Sequence, residues 1–365
     1  RPSLWSRLAD IPERDVDIVT AERNQVGSRT PLTDQETGAP ARFVYVDQRA
    51  DPPSADGSVE HPFPTISGAL AIARPYDTVY IAANPDETKP YDEGIVLATD
   101  HLMLHGAGVP LVLPHERYVW ASGLDRRDVI LYAGTAAPIL TNSTGDVITV
   151  TGTGQTIQGV HLDGAAGAGV MITDGAQDVT LQNMTVTGND THGVVIYRTR
   201  PDEQRVTIRD TSIIGNLQYG VLAESLNGGR LTIDMGTIPA FGGNDIFGNI
   251  TGDMYVHAPA STIAANGNYW GATTTPNIVG PNARPVDTRV VATSAFCTAC
   301  EIEVVPFAPW VSNVDPTHLY ASAQQMLFGF SGSRYVAVST FDAGLPPDWI
   351  VNGQSAGSYV RIRSG

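Results

Sequence analysis

Four acidic side chains along the middle of the chain have the residue type and spacing that could hydrolyse a glycosidic bond. They are Asp163, Asp190, Glu224 and Asp245, and they fall near the corners of a sequence repeat. Hydrolysis needs two carboxyl groups facing one bond, about 5–5.5 Å apart for retention or about 6.5–9.5 Å apart for inversion. His192 shares a segment with Asp190 and completes the candidate catalytic set. The competing interpretation makes each acid a solvated corner residue and His192 a polar turn residue.

Side chains on the same segments could hold a ligand. Arg198 and Tyr197 follow His192, and Tyr219 begins the next predicted strand. The aromatic residues that could stack on a sugar are Tyr197, Tyr219, Tyr255, Tyr269 and Trp270, although Trp270 could instead plug the end of a barrel. A lyase would need an Arg or Lys base near a carboxylate-bound Ca²⁺. The middle of the chain offers only five such cations, Arg198, Arg200, Arg205, Arg209 and Arg230.

An acidic loop near the start of the chain could bind calcium. Asp47, Asp51 and Asp56 supply oxygen ligands at roughly the density that a Ca²⁺ site uses. The regular one-three-five spacing with a terminal Glu is missing, and Asp and Gly residues would also simply form a turn. Calcium is therefore expected to be allowed but not required, and no other cofactor is indicated.

Cys297 and Cys300 form a CxxC pair, which could be redox-active, half of a zinc site or a local disulfide. The flanking residues are typical of strand and loop rather than of a helix start, and no second CxxC supplies further zinc ligands. We interpret the pair as a disulfide that closes the last loop in an oxidising extracellular compartment.

The elements that must position these residues repeat along the chain. Corner glycines fall at 164, 188, 215, 248 and 271, so that the intervals are 24, 27, 33 and 23 residues. The strands that follow open at 169, 193, 220 and 253 and give the same series from a second landmark. A period in this range indicates a solenoid.

The residues within each repeat predict β-strands rather than helices. Apolar and polar residues alternate with period two, as in Val179-Thr-Leu-Gln182 and Val206-Thr-Ile-Arg209. Coils would then stack at roughly 4.8 Å through main-chain hydrogen bonds. Asn189, Asn216 and Asn249 each follow a corner glycine, which predicts a ladder of stacked amides.

Three stretches share motifs with one known group of proteins. The first runs from Phe43-Val-Tyr-Val-Asp47 through His61-Pro-Phe-Pro-Thr-Ile66 to Asp77-Thr-Val-Tyr-Ile81, the second is the repeat series, and the third is Asn268-Tyr-Trp-Gly271 with Val304-Val-Pro-Phe-Ala-Pro-Trp310. Together they resemble the bacterial extracellular right-handed parallel β-helix proteins of the pectate-lyase-like superfamily. The resemblance implies this all-β fold, but that superfamily includes lyases, hydrolases, epimerases, adhesins and inert scaffolds. The chain matches neither the arginine motif of the family's lyases nor the paired Asp-Asp of its polygalacturonases.

The chain is expected to contain three parts. Residues 1–42 would form an N-terminal extension or cap, residues 43–311 the right-handed parallel β-helix, and residues 312–365 a small β module, which could be truncated. The predicted strands of that module are Met326–Phe330, Tyr335–Phe341, Trp349–Val351 and Tyr359–Ile362.

Composition restricts the partners. A formal charge of −16 argues against nucleic acid and anionic membranes, and no run of 18 apolar residues predicts a membrane span. Our main hypothesis is a secreted or cell-surface rod that binds a polysaccharide or a surface protein as a structural, adhesin-like element, with self-association allowed. The alternative is a polysaccharide-degrading enzyme, a hydrolase or a lyase, on the same scaffold.

Overall fold

The computed structural model of the 365-residue chain describes residues 37–86, 88–119, 123–237, 242–258, 261–265 and 268, and several later strands. Those strands lie at 290–292, 301–303, 326–331, 334–339, 350–351 and 354–355. Cys297 and Cys300 lie outside the described residues, as do Tyr269, Trp270 and the predicted strand Tyr359–Ile362.

Short strands dominate the described residues. The strands of the first coils are β1 (Phe43–Val46), β2 (Thr78–Ile81), β3 (Tyr91–Asp92), β4 (Ile95–Leu97), β5 (Met103–Gly106), β6 (Leu111–Val119), β7 (Gly123–Tyr132), β8 (Ile139–Thr141) and β9 (Ile148–Val150). The strands of the middle coils are β10 (Thr156–Gln158), β11 (His161–Asp163), β12 (Val170–Ile172), β13 (Val179–Gln182), β14 (Thr185–Thr187), β15 (Val194–Arg198), β16 (Glu203–Arg209), β17 (Ser212–Ile214) and β18 (Tyr219–Ser225). The remaining strands are β19 (Arg230–Asp234), β20 (Asp245–Phe247), β21 (Gly252–His257), β22 (Thr262–Ala264), β23 (Val290–Ala292), β24 (Glu301–Glu303), β25 (Met326–Ser331), β26 (Arg334–Ser339), β27 (Ile350–Val351) and β28 (Gln354–Ser355).

Three parallel sheets run along the solenoid, and each coil contributes one strand to each sheet in turn. Sheet 1 has the order β1-β2-β5-β10-β13-β16-β19-β22-β24, sheet 2 the order β20-β17-β14-β11-β8-β3, and sheet 3 the order β23-β21-β18-β15-β12-β9-β4. In sheet 3, Val170 pairs with Val194, Val194 with Val221, and Val221 with Met254. These pairs are separated by the predicted 24, 27 and 33 residues, so the repeat is confirmed.

The interior is one apolar core because alternate residues of the solenoid strands, from β1 to β22 apart from the β6–β7 hairpin, point inward. Leu162, Val186 and Ile213 of sheet 2, for example, are all fully buried in it. A short helix near the start, α1 (Ile66–Leu70), contributes Ile66 and Ala69 to the same core. Its first turn is capped by Thr65, whose hydroxyl accepts a hydrogen bond from the Gly68 amide at 3.2 Å.

The predicted asparagine ladder is confirmed at the corner between sheets 2 and 3. Asn189 Nδ2 donates to Asn216 Oδ1 at 2.8 Å, and Asn216 Nδ2 donates to Asn249 Oδ1 at 2.8 Å. Asn249 in turn donates to Asp253 Oδ1 at 3.0 Å. These asparagines are fully buried, so each amide satisfies the hydrogen-bonding capacity of its neighbour.

A second amide pair was not expected from the sequence. Asn244 Nδ2 donates to Asn268 Oδ1 at 2.8 Å, and both side chains are buried at the corner between sheets 1 and 2. Asn268 was assigned only to the exit motif in the sequence, but the structure gives it a ladder position.

An antiparallel hairpin, β6–β7, also departs from the repeat. It is inserted between β5 of sheet 1 and β8 of sheet 2. Leu111 and Tyr132 of the hairpin belong to a small apolar cluster with Tyr45 and Tyr80, outside the main core. The base of the insertion therefore packs against this end of sheet 1.

The later strands form two short antiparallel hairpins. One pairs β25 with β26 and the other pairs β27 with β28. Three of the four strands predicted for this region therefore overlap strands of the structure, whereas its assignment as a separate module stays a prediction.

Candidate functional site

The outer face of sheet 3 brings polar and aromatic side chains of successive coils side by side. Because Val194 and Ile196 point inward, Val195 and Tyr197 point outward. The register continues this pattern in two columns, which are Val195–Leu222–Tyr255 and Tyr197–Glu224–His257. We call the set His192, Tyr197, Tyr219, Leu222, Glu224, Tyr255 and His257 the sheet 3 face.

Aromatic rings of three consecutive coils stack on this face. The His192 and Tyr219 ring centroids are 5.8 Å apart with planes 4° from parallel. Tyr219 and Tyr255 are 5.0 Å apart at 29°, and the His257 ring meets Tyr255 edge-on at 6.3 Å. The rings thus form a continuous strip that runs along the solenoid axis.

A backbone contact fixes the tautomer of His192. The Tyr219 amide donates to His192 Nδ1 at 3.2 Å, so Nδ1 is the acceptor and the ring proton sits on Nε2. Burial lowers the pKa of His192, and the nearby Asp146 carboxylate opposes this effect only in part. His192 is therefore neutral at neutral pH.

Tyr219 is also uncharged at neutral pH. Burial raises the pKa of its hydroxyl, and Tyr255 adds to the effect. His192 and Tyr219 in the ring strip are consequently uncharged at neutral pH, and their polar groups are an imidazole and a hydroxyl.

Glu224 and His257 lie together beside the ring strip. Glu224 Oε1 is 3.8 Å from His257 Nδ1 across adjacent coils, and the Glu224 side chain is 31% exposed. A partly exposed carboxylate with an imidazole beside it is an arrangement suited to proton transfer.

The other predicted catalytic acids are not brought to this face. Asp163 is on sheet 2, where Thr187 Oγ1 donates to its carboxylate at 2.9 Å. Asp245 is on the same sheet, three coils away, and is only 2% exposed. Asp190 is exposed in the turn between sheets 2 and 3. The expectation that the four acids occupy equivalent corners therefore needs correction, because only Glu224 lies on a strand of sheet 3.

Arg198 also differs from its predicted placement. Its side chain is fully buried, and its guanidinium donates to the carbonyl oxygens of Asp174 and Asp202 and pairs with the Asp202 carboxylate. It secures the turn after β15 instead of facing a ligand. Tyr197, one residue earlier, does point outward beside Glu224.

The predicted calcium ligands have other partners. Asp47 accepts hydrogen bonds from Arg49 Nε at 2.9 Å and Nη2 at 2.6 Å, and Asp56 accepts one from the Ser58 amide at 2.8 Å. Asp51 precedes the short 3-10 helix Pro52–Ser54 without capping it through its side chain. Within the described residues, no group of three His, Cys, Asp or Glu side chains could hold a metal ion.

Leu222 and His257 are the members of the sheet 3 face that sequence reasoning missed, and His257 is the polar one of the two. The repeat contained the necessary signal, because His257 lies 33 residues beyond Glu224, which is the same offset as between Leu222 and Tyr255. Projecting the last measured interval onto Glu224 would have placed the two side chains together.

Residues 138–268 match the family model described as right handed beta helix region. Similar solved structures include a rhamnogalacturonan lyase, 12% identical over 72% of this chain and 87% of that one, with a TM-score of 0.34. Pectate lyase Pel9A is 14% identical over 77% of this chain and 82% of that one, with a TM-score of 0.32. An alginate lyase from Paenibacillus sp. str. FPU-7 is 13% identical over 66% of this chain and 94% of that one, with a TM-score of 0.20. No curated protein matches the chain significantly.

The part of the chain that the structure describes contains no helix long and apolar enough to cross a membrane. Its three parallel sheets, the stacked coils and the family match over residues 138–268 agree on one architecture. The chain therefore has the right-handed parallel β-helix fold that its sequence resemblance to the pectate-lyase-like superfamily implied.

Proposed function

We propose that the sheet 3 face binds a polysaccharide outside the cell. The observation that carries the proposal is the strip of stacked rings from His192 through Tyr219 to Tyr255, which crosses three consecutive coils. Sugar rings present apolar C–H faces, and aromatic side chains supply large rigid surfaces against which such faces are buried. A strip along the axis suits an extended chain molecule better than a small compact ligand.

Binding is tested by affinity electrophoresis of the purified protein through gels that contain soluble polysaccharides. Tyr219→Ala and Tyr255→Ala should each weaken binding about three- to tenfold, because each removes one stacking surface. Phe247→Ala is the matched control, since it removes an outward ring of sheet 2 from the same coil as Tyr255. Equal retardation of all three variants and the parent protein would contradict the proposal that the sheet 3 face binds the polysaccharide.

Cleavage of the bound polysaccharide is a second candidate function, and the Glu224–His257 pair favours it. The pair lies 3.8 Å apart at the edge of the ring strip, where one side chain could donate a proton and the other accept one. The three similar lyase structures are named for polysaccharide substrates, which fits this candidate. The competing function is a binding rod without turnover, as an adhesin-like or structural element would be.

Release of new reducing ends from a polysaccharide panel, with and without Ca²⁺, distinguishes the two. If the pair is catalytic, Glu224→Gln and His257→Gln should each reduce turnover at least about a hundredfold while binding stays within about threefold. Turnover that survives both substitutions, or no turnover by the parent protein, would remove catalysis from the proposal and leave binding.

A further inference from the structure

We propose that the polysaccharide held by the sheet 3 face is uncharged rather than a polyuronate. This inference rests on the proposed binding function and adds the substrate class. It follows from which charged side chains the face carries and which it lacks.

The first argument is the absence of exposed cations on the described strands of sheet 3. The outward side chains from β4 to β21 are apolar, hydroxyl, aromatic, imidazole or carboxylate, and they are Val96, Thr149, Met171, Val195, Tyr197, Leu222, Glu224, Tyr255 and His257. Arg198 is the one arginine or lysine on these strands, and its buried guanidinium is committed to Asp174 and Asp202. An anionic chain therefore meets no guanidinium or ammonium group there.

The second argument is that the flanking groups are acidic. Glu224 lies on the face itself, and Asp146 is close enough to His192 to affect its titration. Asp190 is exposed in the turn that precedes β15. The turn after β15 carries Arg200, but that turn also contains Asp202 and packs against Asp174. The charged side chains around the face are therefore mainly acidic, in agreement with the net charge of −16 for the whole chain.

The third argument is that the imidazoles of His192 and His257 do not supply the positive charge that an anionic chain would need. His192 is neutral at neutral pH because burial disfavours its charged form. Its Nδ1 accepts the Tyr219 amide hydrogen, so the ring donates through Nε2 alone. The Glu224 carboxylate lies 3.8 Å from His257 Nδ1, so its negative charge would balance a positive charge on the His257 imidazole. A uronate carboxylate would thus approach a neutral or negative surface.

The consequence is a selectivity against charge. A polyuronate adds a like-charge interaction wherever it passes Glu224 or the flanking Asp146 and Asp190, whereas a neutral glycan stacks on the same rings without that penalty. We expect neutral glycans to bind at least about tenfold more tightly, a ratio that corresponds to about 1.4 kcal/mol.

The experiment compares soluble xylan and galactomannan with polygalacturonate and alginate by affinity electrophoresis. It is run at low and high ionic strength, and with and without Ca²⁺. The expected result is retardation by at least one neutral glycan that salt hardly changes and that Tyr255→Ala weakens. Equal or stronger retardation by a polyuronate, with or without Ca²⁺, would overturn the substrate class but leave polysaccharide binding intact. Retardation by none of the four would refute both.

A charge introduced on the face gives a second readout. Leu222→Lys places a cation between Val195 and Tyr255 in their column, and we expect it to raise polygalacturonate binding about fivefold at low ionic strength. Leu222→Gln is the matched control because it has a similar length and no charge. No gain for Leu222→Lys over Leu222→Gln would contradict the electrostatic explanation.

Discussion

Asn216 shows how strongly single buried amides hold the coils together. It donates to Asn249 Oδ1 at 2.8 Å and to the Val186 carbonyl at 3.3 Å, and its own Oδ1 accepts from Asn189 Nδ2 at 2.8 Å. Asn216→Ala removes these bonds and leaves Asn189 with an unsatisfied buried donor. We expect the free energy of unfolding to fall by about 2–4 kcal/mol, measured by urea denaturation followed by circular dichroism.

Gln218 supplies the control for that prediction. Its amide side chain is exposed in the same turn, two residues further along. Gln218→Ala should change the free energy of unfolding by less than about 0.5 kcal/mol. If the two variants unfold at the same urea concentration, the ladder does not contribute the stability that we assign to it.

At the scale of elements, the corner between sheets 2 and 3 depends on a column of residues without side chains. Gly169 and Gly193 immediately precede β12 and β15, and Gly220 is the second residue of β18. A Cβ on Gly193 would lie 2.4 Å from Ile213 Cγ2, 2.6 Å from the Gly220 oxygen and 2.9 Å from Asn216 Nδ2. The ladder and the close approach of coils therefore require glycine here because of space.

Gly193→Ala should consequently lower the free energy of unfolding by about 3 kcal/mol, since backbone of the next coil would have to shift. Gly215, at the corner of the following coil, offers a contrast. Its φ is +67° and an added Cβ would meet nothing within 4 Å, so Gly215→Ala costs only about 1 kcal/mol of backbone strain. Urea denaturation of both variants shows which substitution lowers the free energy of unfolding more. A larger decrease for Gly215→Ala than for Gly193→Ala would contradict the crowding argument.

The whole molecule should become less stable below neutral pH because three wholly or partly buried histidines are held in neutral form. Burial lowers the pKa of His105, His161 and His192 below the ordinary 6.5. The unfolded chain then binds more protons than the folded one as pH falls below about 6.5, so the free energy of unfolding rises with pH in that window. Carboxylates such as Asp56, whose pKa is lowered by its hydrogen bonds to Ser58, act separately below about pH 4.

Urea denaturation between about pH 7 and pH 5 measures this slope. His105 is the most buried of the three, with Nε2 3.2 Å from the Val109 oxygen and Nδ1 2.6 Å from Gln158 Nε2. His105→Gln should reduce the slope, whereas His61→Gln, at an exposed turn, should leave it unchanged. Parallel pH profiles for parent and His105→Gln would show that burial of this imidazole is not the cause.

Much of the fold could be predicted because its determinants are local. The alternation in Val179-Thr-Leu-Gln182 sets which side chains point inward, and the corner glycines set the length of each coil. The amide ladder followed from the same spacing. The β6–β7 hairpin could not be anticipated, since an insertion between coils breaks no repeat and has no counterpart in its neighbours.

The candidate site was predicted only in part. Tyr197, Tyr219 and Glu224 were named from their types and do lie on sheet 3, as His192 lies beside it. Asp163 and Asp245 were named for the same chemical reason but belong to another sheet. Residue type alone does not say which of three sheets an acid faces, because all three have the same period of two.

The sequence by itself determined the repeat, the alternation and the solenoid class, because burial of every second side chain depends on neighbours along the chain. The tertiary structure alone decided which outward residues meet. Glu224 Oε1 lies 3.8 Å from His257 Nδ1 only through the register between coils of unequal length, and Arg198 is buried where the turn after β15 packs against the turn that carries Asp174, one coil earlier. Such contacts between residues tens of positions apart depend on three-dimensional stacking, which no local pattern specifies.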